Sequence, residues 1–126
     1  MNKNFLYLGI GSLLLLVIAI PLALQKIKPN RWYGVRTALT LNNPQIWFQV
    51  NRIHGLSMIV SAVVFFLLSA LSGIWRNGDS YASLTLVLFI IEVSVPVAIT
   101  FLKLKSFKYF CSFLKFLNAS KISFPN

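Results

Sequence analysis

Residues 25–55 read QKIKPNRWYGVRTALTLNNPQIWFQVNRIHG, a polar stretch set between two runs of nearly pure hydrocarbon. It carries five basic residues (Lys26, Lys28, Arg31, Arg36 and Arg52), no acid, the single histidine of the chain and two of its three tryptophans. On either side lie apolar runs over 5–24 and 56–75, and a third covers 82–102. Each reaches the ~20 residues that a helix rising about 1.5 Å per residue needs to cross about 30 Å of hydrocarbon. With 57% hydrophobic and 11% charged residues in a chain of 126, the composition is too apolar for a small water-soluble globule. The expected fold class is an all-α membrane protein with three transmembrane helices, a basic cytoplasmic loop and a C-terminal amphipathic helix. A three-helix membrane domain is expected over 1–104 and a basic amphipathic cytoplasmic tail over 105–126.

The net charge of +10 is arranged by side. The N-terminus and the link after Trp75 hold Lys3 and Arg76, whereas the central stretch and the tail hold ten lysines and arginines, the tail's five being Lys103, Lys105, Lys108, Lys115 and Lys121. The positive-inside rule then puts the N-terminus outside and the loop and C-terminus in the cytoplasm, against anionic headgroups. That placement accounts for the charge without nucleic acid, for which no binding motif is present. The lone Cys111 excludes an intramolecular disulfide and a cysteine-based zinc site, and no cofactor or metal cluster is expected.

Within the first span, Gly9, Ser12, Ala19 and Ala23 offer small surfaces to a neighbouring helix, and Pro21 bends the exit of the chain. The apolar run is longer than a signal-peptide core and no small-residue cleavage site follows it, so it reads as a retained helix. Ser57, Ser61, Ser69 and Gly73 form a similar small-residue row in the second span. Trp75 marks the far interface, and Arg76–Ser80 reads as a tight turn joining the second and third spans in a hairpin. Glu92 is the one ionisable residue at membrane depth, and Pro96, four residues on, removes the helical donor for its carbonyl. Two readings stand: a neutral Glu92 bonded to a serine of the second helix such as Ser61 or Ser69, or a proton or ligand site. In the tail, Leu104, Phe107, Phe110 or Cys111, Leu114 and Leu117 recur at helical spacing opposite Lys105, Lys108, Ser112 and Lys115, which suits a helix lying on the inner leaflet.

The central stretch has its own punctuation. Pro29-Asn30 signals a turn, Tyr33-Gly34 a bend in which glycine permits positive φ, and Asn43-Pro44 an N-cap followed by proline in the first helical position. Ile46, Trp47, Val50 and Ile53 share a face, so a short interfacial helix is expected before the second span. Trp32 and Trp47 would then sit at headgroup level, with Arg31, Arg36 and Arg52 available to clamp phosphates or carboxylates.

The series Pro29-Asn30-Arg31-Trp32-Tyr33-Gly34-Val35-Arg36-Thr37, then Trp47, then Asn51-Arg52 and Gly55, resembles the SdpI family of bacterial membrane proteins. The resemblance runs from about Leu22 to the end of the third span. Ala38 stands where the family pattern leads one to expect proline, and Pro44-Gln45 where an acid often precedes the tryptophan. What the resemblance implies is a bacterial inner-membrane protein with the motif in a cytoplasmic loop. The best-known members confer immunity to a secreted, membrane-active peptide and recruit a transcriptional repressor to the membrane. Asn30, Tyr33, Gly34, Arg36, Thr37, Trp47, Asn51, Arg52 and Gly55 accordingly form the candidate loop for a toxin peptide or a cytoplasmic regulator. A second function class is an accessory subunit of a larger membrane complex, or a homo-oligomer. A third, an intramembrane enzyme using His54 and Glu92 as base and acid, meets the difficulty that helical rise puts the two more than about 10 Å apart.

Overall fold

The computed structural model describes residues 3–76 and 81–121, so the expected turn over 77–80 and the last residues of the tail, 122–126, lie outside the described residues, as do the side chains of Ser120 and Lys121. Among the described residues four helices follow one another: α1 (Lys3–Ala23), α2 (Ala38–Leu41), α3 (Pro44–Leu71) and α4 (Ala82–Lys121). All but the one-turn α2 are long and apolar enough to cross a membrane. The chain is a multi-pass membrane protein.

Contacts fix the directions. The end of α1 meets the beginning of α3, where Ala19 and Ala23 lie against Gly55, while Gly9, near the start of α1, faces Phe66 late in α3. Likewise His54 of α3 bonds Thr100 of α4, and Phe65 meets Phe89 edge-on with ring centroids 6.2 Å apart. Hence α3 runs antiparallel to both neighbours, and the loop before α3 emerges at the same end of the bundle as the second half of α4.

The bundle is apolar outside, and the faces that α1 and α4 turn inward are mostly small or polar. Gly9, Ser12, Ala19 and Leu22 are the buried residues of α1, and Thr85, Glu92, Pro96 and Thr100 make the buried stripe of α4. Leucines, isoleucines and valines of the same helices face outward. Water would reward the opposite arrangement; lipid, which gives helices no hydrophobic reason to associate, rewards close backbone approach and internal polar pairing.

Two expectations change at the ends of helices. The short interfacial helix and the second span are one element, because Asn43 caps it, its Oδ1 accepting from the backbone N–H of Gln45 (3.0 Å) and Ile46 (3.2 Å), and nothing between Pro44 and Leu71 breaks it. At about 1.5 Å per residue this helix is some 40 Å long, so its first turns stand clear of the hydrocarbon. It stops at Leu71, short of the expected 75, where Ser72 caps it. The boundary expected at 104–105 is not marked by a break either. No glycine or proline occurs between Pro96 and Pro125, and α4 continues for 40 residues. Its second half leaves the span without a joint at which to turn onto the leaflet. Along it Leu104, Phe107 and Cys111 are half-buried, while the remaining aromatics are exposed.

Candidate functional site

The loop between α1 and α3 is held from below by the tops of both helices. α1 ends in a Schellman arrangement in which the N–H of Lys26 bonds the carbonyl of Pro21 and that of Gln25 the carbonyl of Leu22, both at 3.1 Å. Gln25 takes the left-handed conformation, φ 56°, that glycine usually fills. Five residues on, Asn30 makes the expected turn. Its Oδ1 accepts from the N–H of Trp32 (2.9 Å) and Tyr33 (2.7 Å), and its Nδ2 donates to the carbonyl of Lys28 (2.8 Å).

Tyr33 then reaches back to α1, its hydroxyl donating to the carbonyl of Ile18. That carbonyl is one residue beyond Val17, whose helical donor Pro21 removes. Burial pushes the Tyr33 phenol above its ordinary value. Gly34 follows with φ +96°, and a Cβ here would lie 2.4 Å from Asn51 Oδ1, so both the conformation and the space demand glycine. The close approach has a use. Asn51 Oδ1 accepts from the N–H of Val35 at 2.7 Å, and Nδ2 donates to the carbonyl of Trp47 at 2.9 Å, so a buried side chain of α3 pairs the loop's backbone. Trp47 contributes a second tie, from Nε1 to the carbonyl of Ile27 at 2.9 Å. It is fully buried, not a headgroup anchor as expected: the early start of α3 turns its face under the loop. Trp32, 91% exposed, keeps the anchoring role open to it.

Thr37 caps α2 reciprocally with Thr40, each backbone N–H bonding the other's hydroxyl (2.8 and 3.2 Å), and Thr40 also donates to the carbonyl of Val35 at 2.9 Å. Gly55 lies where α3 crosses α1. A Cβ there would fall 2.6 Å from the backbone nitrogen of Ala23 and 2.7 Å from the carbonyl oxygen of Ala19. Seven of the nine expected loop residues are thus spent on holding the loop in place.

Arg36 and Arg52 remain. Both are exposed; Arg36 Nη1 donates to the carbonyl of Arg31 at 2.5 Å, which sets its guanidinium beside a third arginine. With Lys26, Lys28 and Trp32, also exposed, they give a cationic, aromatic surface on a fixed backbone. Adjoining it, a cleft of about 1160 Å³ between α2 and α4 is lined by Leu39, Phe101, Leu102, Lys105, Lys108 and Lys115 among others.

Glu92 is bonded, but not to the second span. Ser12 of α1 donates to its Oε1 at 2.5 Å. Ser61 lines a cavity beside Glu92, yet Oε2 and the buried hydroxyl of Ser69 have no hydrogen-bond partner. His54, expected at a helix start, lies ten residues into α3, about 15 Å along it. This brings it to a cavity of about 120 Å³ that Glu92 also lines, but its bond to Thr100 keeps it eight residues, about 12 Å by helical rise, from Glu92 along α4. Thr40, Ser12 and Thr100 took no part in the expected site. Only Thr40 had a local signal, its three-residue spacing from Thr37; Ser12 and Thr100 acquire their partners through helix rotation.

The model of the SdpI/YfhL protein family matches residues 26–102. No curated protein and no solved structure matches the chain.

Proposed function

The chain belongs to the SdpI/YfhL protein family, and from that premise we propose that it resists or senses a membrane-active peptide at the bacterial inner membrane through the exposed cationic face of its loop. The observation that carries this reading is the division of labour within the motif. Asn51, Trp47, Tyr33 and Gly34 hold the backbone, while Arg36, Arg52 and Trp32 face outward with no acid beside them among the described residues. Exposed guanidinium groups and an exposed indole suit carboxylates, phosphates and the headgroup layer. In this reading the loop and the end of α4 face the cytoplasm, where ten of the chain's twelve basic residues would lie, and the N-terminus faces outward. The surface binds either an acidic segment of the peptide or a cytoplasmic regulator, with anionic lipid as its resting partner. No catalytic step is assigned to it.

The test is survival of a sensitive bacterium challenged with a panel of membrane-active peptides. It compares the chain with its Arg36→Ala and Arg52→Ala variants at matched membrane levels. Protection that both variants lose supports the reading; protection that both retain removes the loop surface from it. A second reading, a subunit of a larger membrane complex, is favoured by the exposure of Tyr109, Phe110, Phe113 and Phe116 around the second half of α4. A helix apolar on several faces needs cover. Recovery of a stoichiometric membrane partner in mild detergent, lost on truncation at residue 104, would favour it.

A further inference from the structure

Where α4 leaves the hydrocarbon, its surface changes from apolar to cationic within two turns. From Ala82 to Leu102 the helix rises about 30 Å, the thickness of the hydrocarbon, and Lys103 is the first charge beyond Glu92. Ala98, Phe101, Lys105 and Lys108 follow at the three- and four-residue spacing that shares a helix face, and all four line the cleft between α2 and α4. By helical rise Lys105 lies about 4.5 Å and Lys108 about 9 Å beyond Leu102. Their flexible stems therefore bring both ammonium groups to a headgroup layer about 5–8 Å deep.

This stripe has a wall opposite it. Ala38 and Leu39 of α2 line the same cleft of about 1160 Å³, and α2 is held in place by the reciprocal capping of Thr37 and Thr40 and by the bond from Thr40 to the carbonyl of Val35. At the foot of the cleft Phe101 and Leu102 are exposed at the edge of the hydrocarbon. Its lysines find no counter-charge in the protein. The sequence holds two acids, Asp79 and Glu92; Glu92 is buried and bonded to Ser12, and among the described residues no carboxyl lines the cleft.

An occupant of the foot must be apolar at hydrocarbon depth and anionic at headgroup depth. We propose that it is a binding site for one phospholipid with an anionic headgroup, whose phosphate sits between Lys105 and Lys108 and whose acyl chain runs down along Phe101 and Ala98. Lysines three apart on a helix have Cβ atoms about 5–6 Å from each other, so both can reach one phosphate. The cleft exceeds the about 300–1,000 Å³ of a small-molecule site, which leaves room for chain as well as headgroup; a free phosphate would satisfy the lysines and leave the apolar foot uncovered. The step from apolar to cationic falls at the depth where a phospholipid changes from chain to headgroup, and this favours lipid over protein. An acidic protein segment would follow the cleft to its far end, where Lys115 stands about 20 Å beyond Leu102 and clear of the headgroups. The site shares no arginine with the exposed face of the loop and does not rest on what that face binds.

Native mass spectrometry of the full chain released from detergent micelles counts the lipids that each copy keeps as phosphatidylglycerol, or phosphatidylcholine with the same acyl chains, is titrated in. The expected result is one phosphatidylglycerol per chain bound ahead of any further lipid, with phosphatidylcholine about tenfold weaker or more. Lys105→Gln and Lys108→Gln should each weaken binding about fivefold, and the double variant about thirtyfold. Lys103→Gln, at the same depth but outside the cleft, and Lys115→Gln should each change it by less than about twofold. Ala38→Trp, which fills the cleft from the opposite wall with every lysine in place, should abolish it. Equal retention of the two lipids, or displacement by millimolar inorganic phosphate, would overturn the proposal. So would a loss shared by Lys103→Gln, the mark of bulk attraction to lysine, or by Lys115→Gln, the mark of a site as long as a protein segment. The lipid comparison and the phosphate competition use the wild-type chain and stand even where a variant fails to insert.

Discussion

Replacing Gly55 by alanine tests the α1–α3 crossing on which the loop stands. The added carbon would lie 2.6 Å from Ala23 N and 2.7 Å from Ala19 O, about 0.8 Å inside the 3.4 Å at which ordinary contact begins, and 3.1 Å from Ala23 Cα. All three obstacles are backbone, so no side chain can swing aside and the helices must part. Overpacking typically costs about 1–3 kcal/mol, and a clash with a rigid helix belongs at the upper end. Alanine regains about 1 kcal/mol over glycine within a helix. The net loss is about 2 kcal/mol, or some thirtyfold in the unfolding equilibrium. Gly9 and Gly11 supply internal controls. There a Cβ would meet only ring carbons of Phe66 at 3.8 Å and Phe89 at 3.6 Å, so Gly9→Ala and Gly11→Ala should be neutral or gain up to about 1 kcal/mol. Reversible unfolding in mixed micelles, followed by tryptophan fluorescence, measures all three. Equal stability for Gly55→Ala and Gly9→Ala would refute the close crossing.

Removing the amide in Asn51→Ala strands the N–H of Val35 and should cost about 1–3 kcal/mol; limited trypsin digestion should then cut faster after Arg31 and Arg36. Trp47→Ala should cost about 3–5 kcal/mol, since the side chain is fully buried, and Trp32→Ala within about 0.5 kcal/mol, since it is exposed. Acrylamide quenching of the single-tryptophan variants should rank Trp32 far above Trp47. For Tyr33, whose phenol is raised by burial, the neutral form is the one the fold prefers. Its stabilisation is complete below the ordinary value near 10 and is lost as pH climbs through the raised one. Alkaline loosening of the loop, read as trypsin sensitivity of pulse-treated protein returned to neutral pH before refolding, should vanish in Tyr33→Phe.

The spans were legible in the sequence because hydrocarbon length is a local property, and so were Asn30, Gly34 and Asn43, whose turn and cap chemistry acts over two or three residues. The small faces of Gly9, Ser12 and Ala19 could also be read, since lipid leaves few other ways for helices to touch. Partners across helices could not. Glu92 was expected to bond Ser61 or Ser69, but helix rotation turns it to Ser12, and no periodicity encodes the rotation of one helix against another. Trp47 misled for a related reason. An indole beside a membrane span is usually an interfacial anchor, and only the continuity of α3 with its amphipathic beginning puts this one beneath the loop. His54 moved too, from a helix start to ten residues inside α3, where it faces Thr100 of α4.

The same geometry separates what the motif specifies from what it offers. Asn51 without Gly34 leaves a clash, and the N–H of Val35 without Asn51 is an orphaned donor, so these residues act as one unit and their substitutions should not be additive. In the double variant Gly34→Ala/Asn51→Ala the clash with Oδ1 is gone. It should therefore lose less stability than the two single variants together, with a residual loss from the strained φ of +96°. Arg36 and Arg52 belong to no such unit. Their removal, singly or together, should leave unfolding within about 0.5 kcal/mol of wild type and add independently, so a loss of protection in those variants reports the surface itself. Should Arg36→Ala unfold as readily as Asn51→Ala, its bond to the carbonyl of Arg31 would be part of the scaffold, and the separation of holding residues from binding residues would fail at that position.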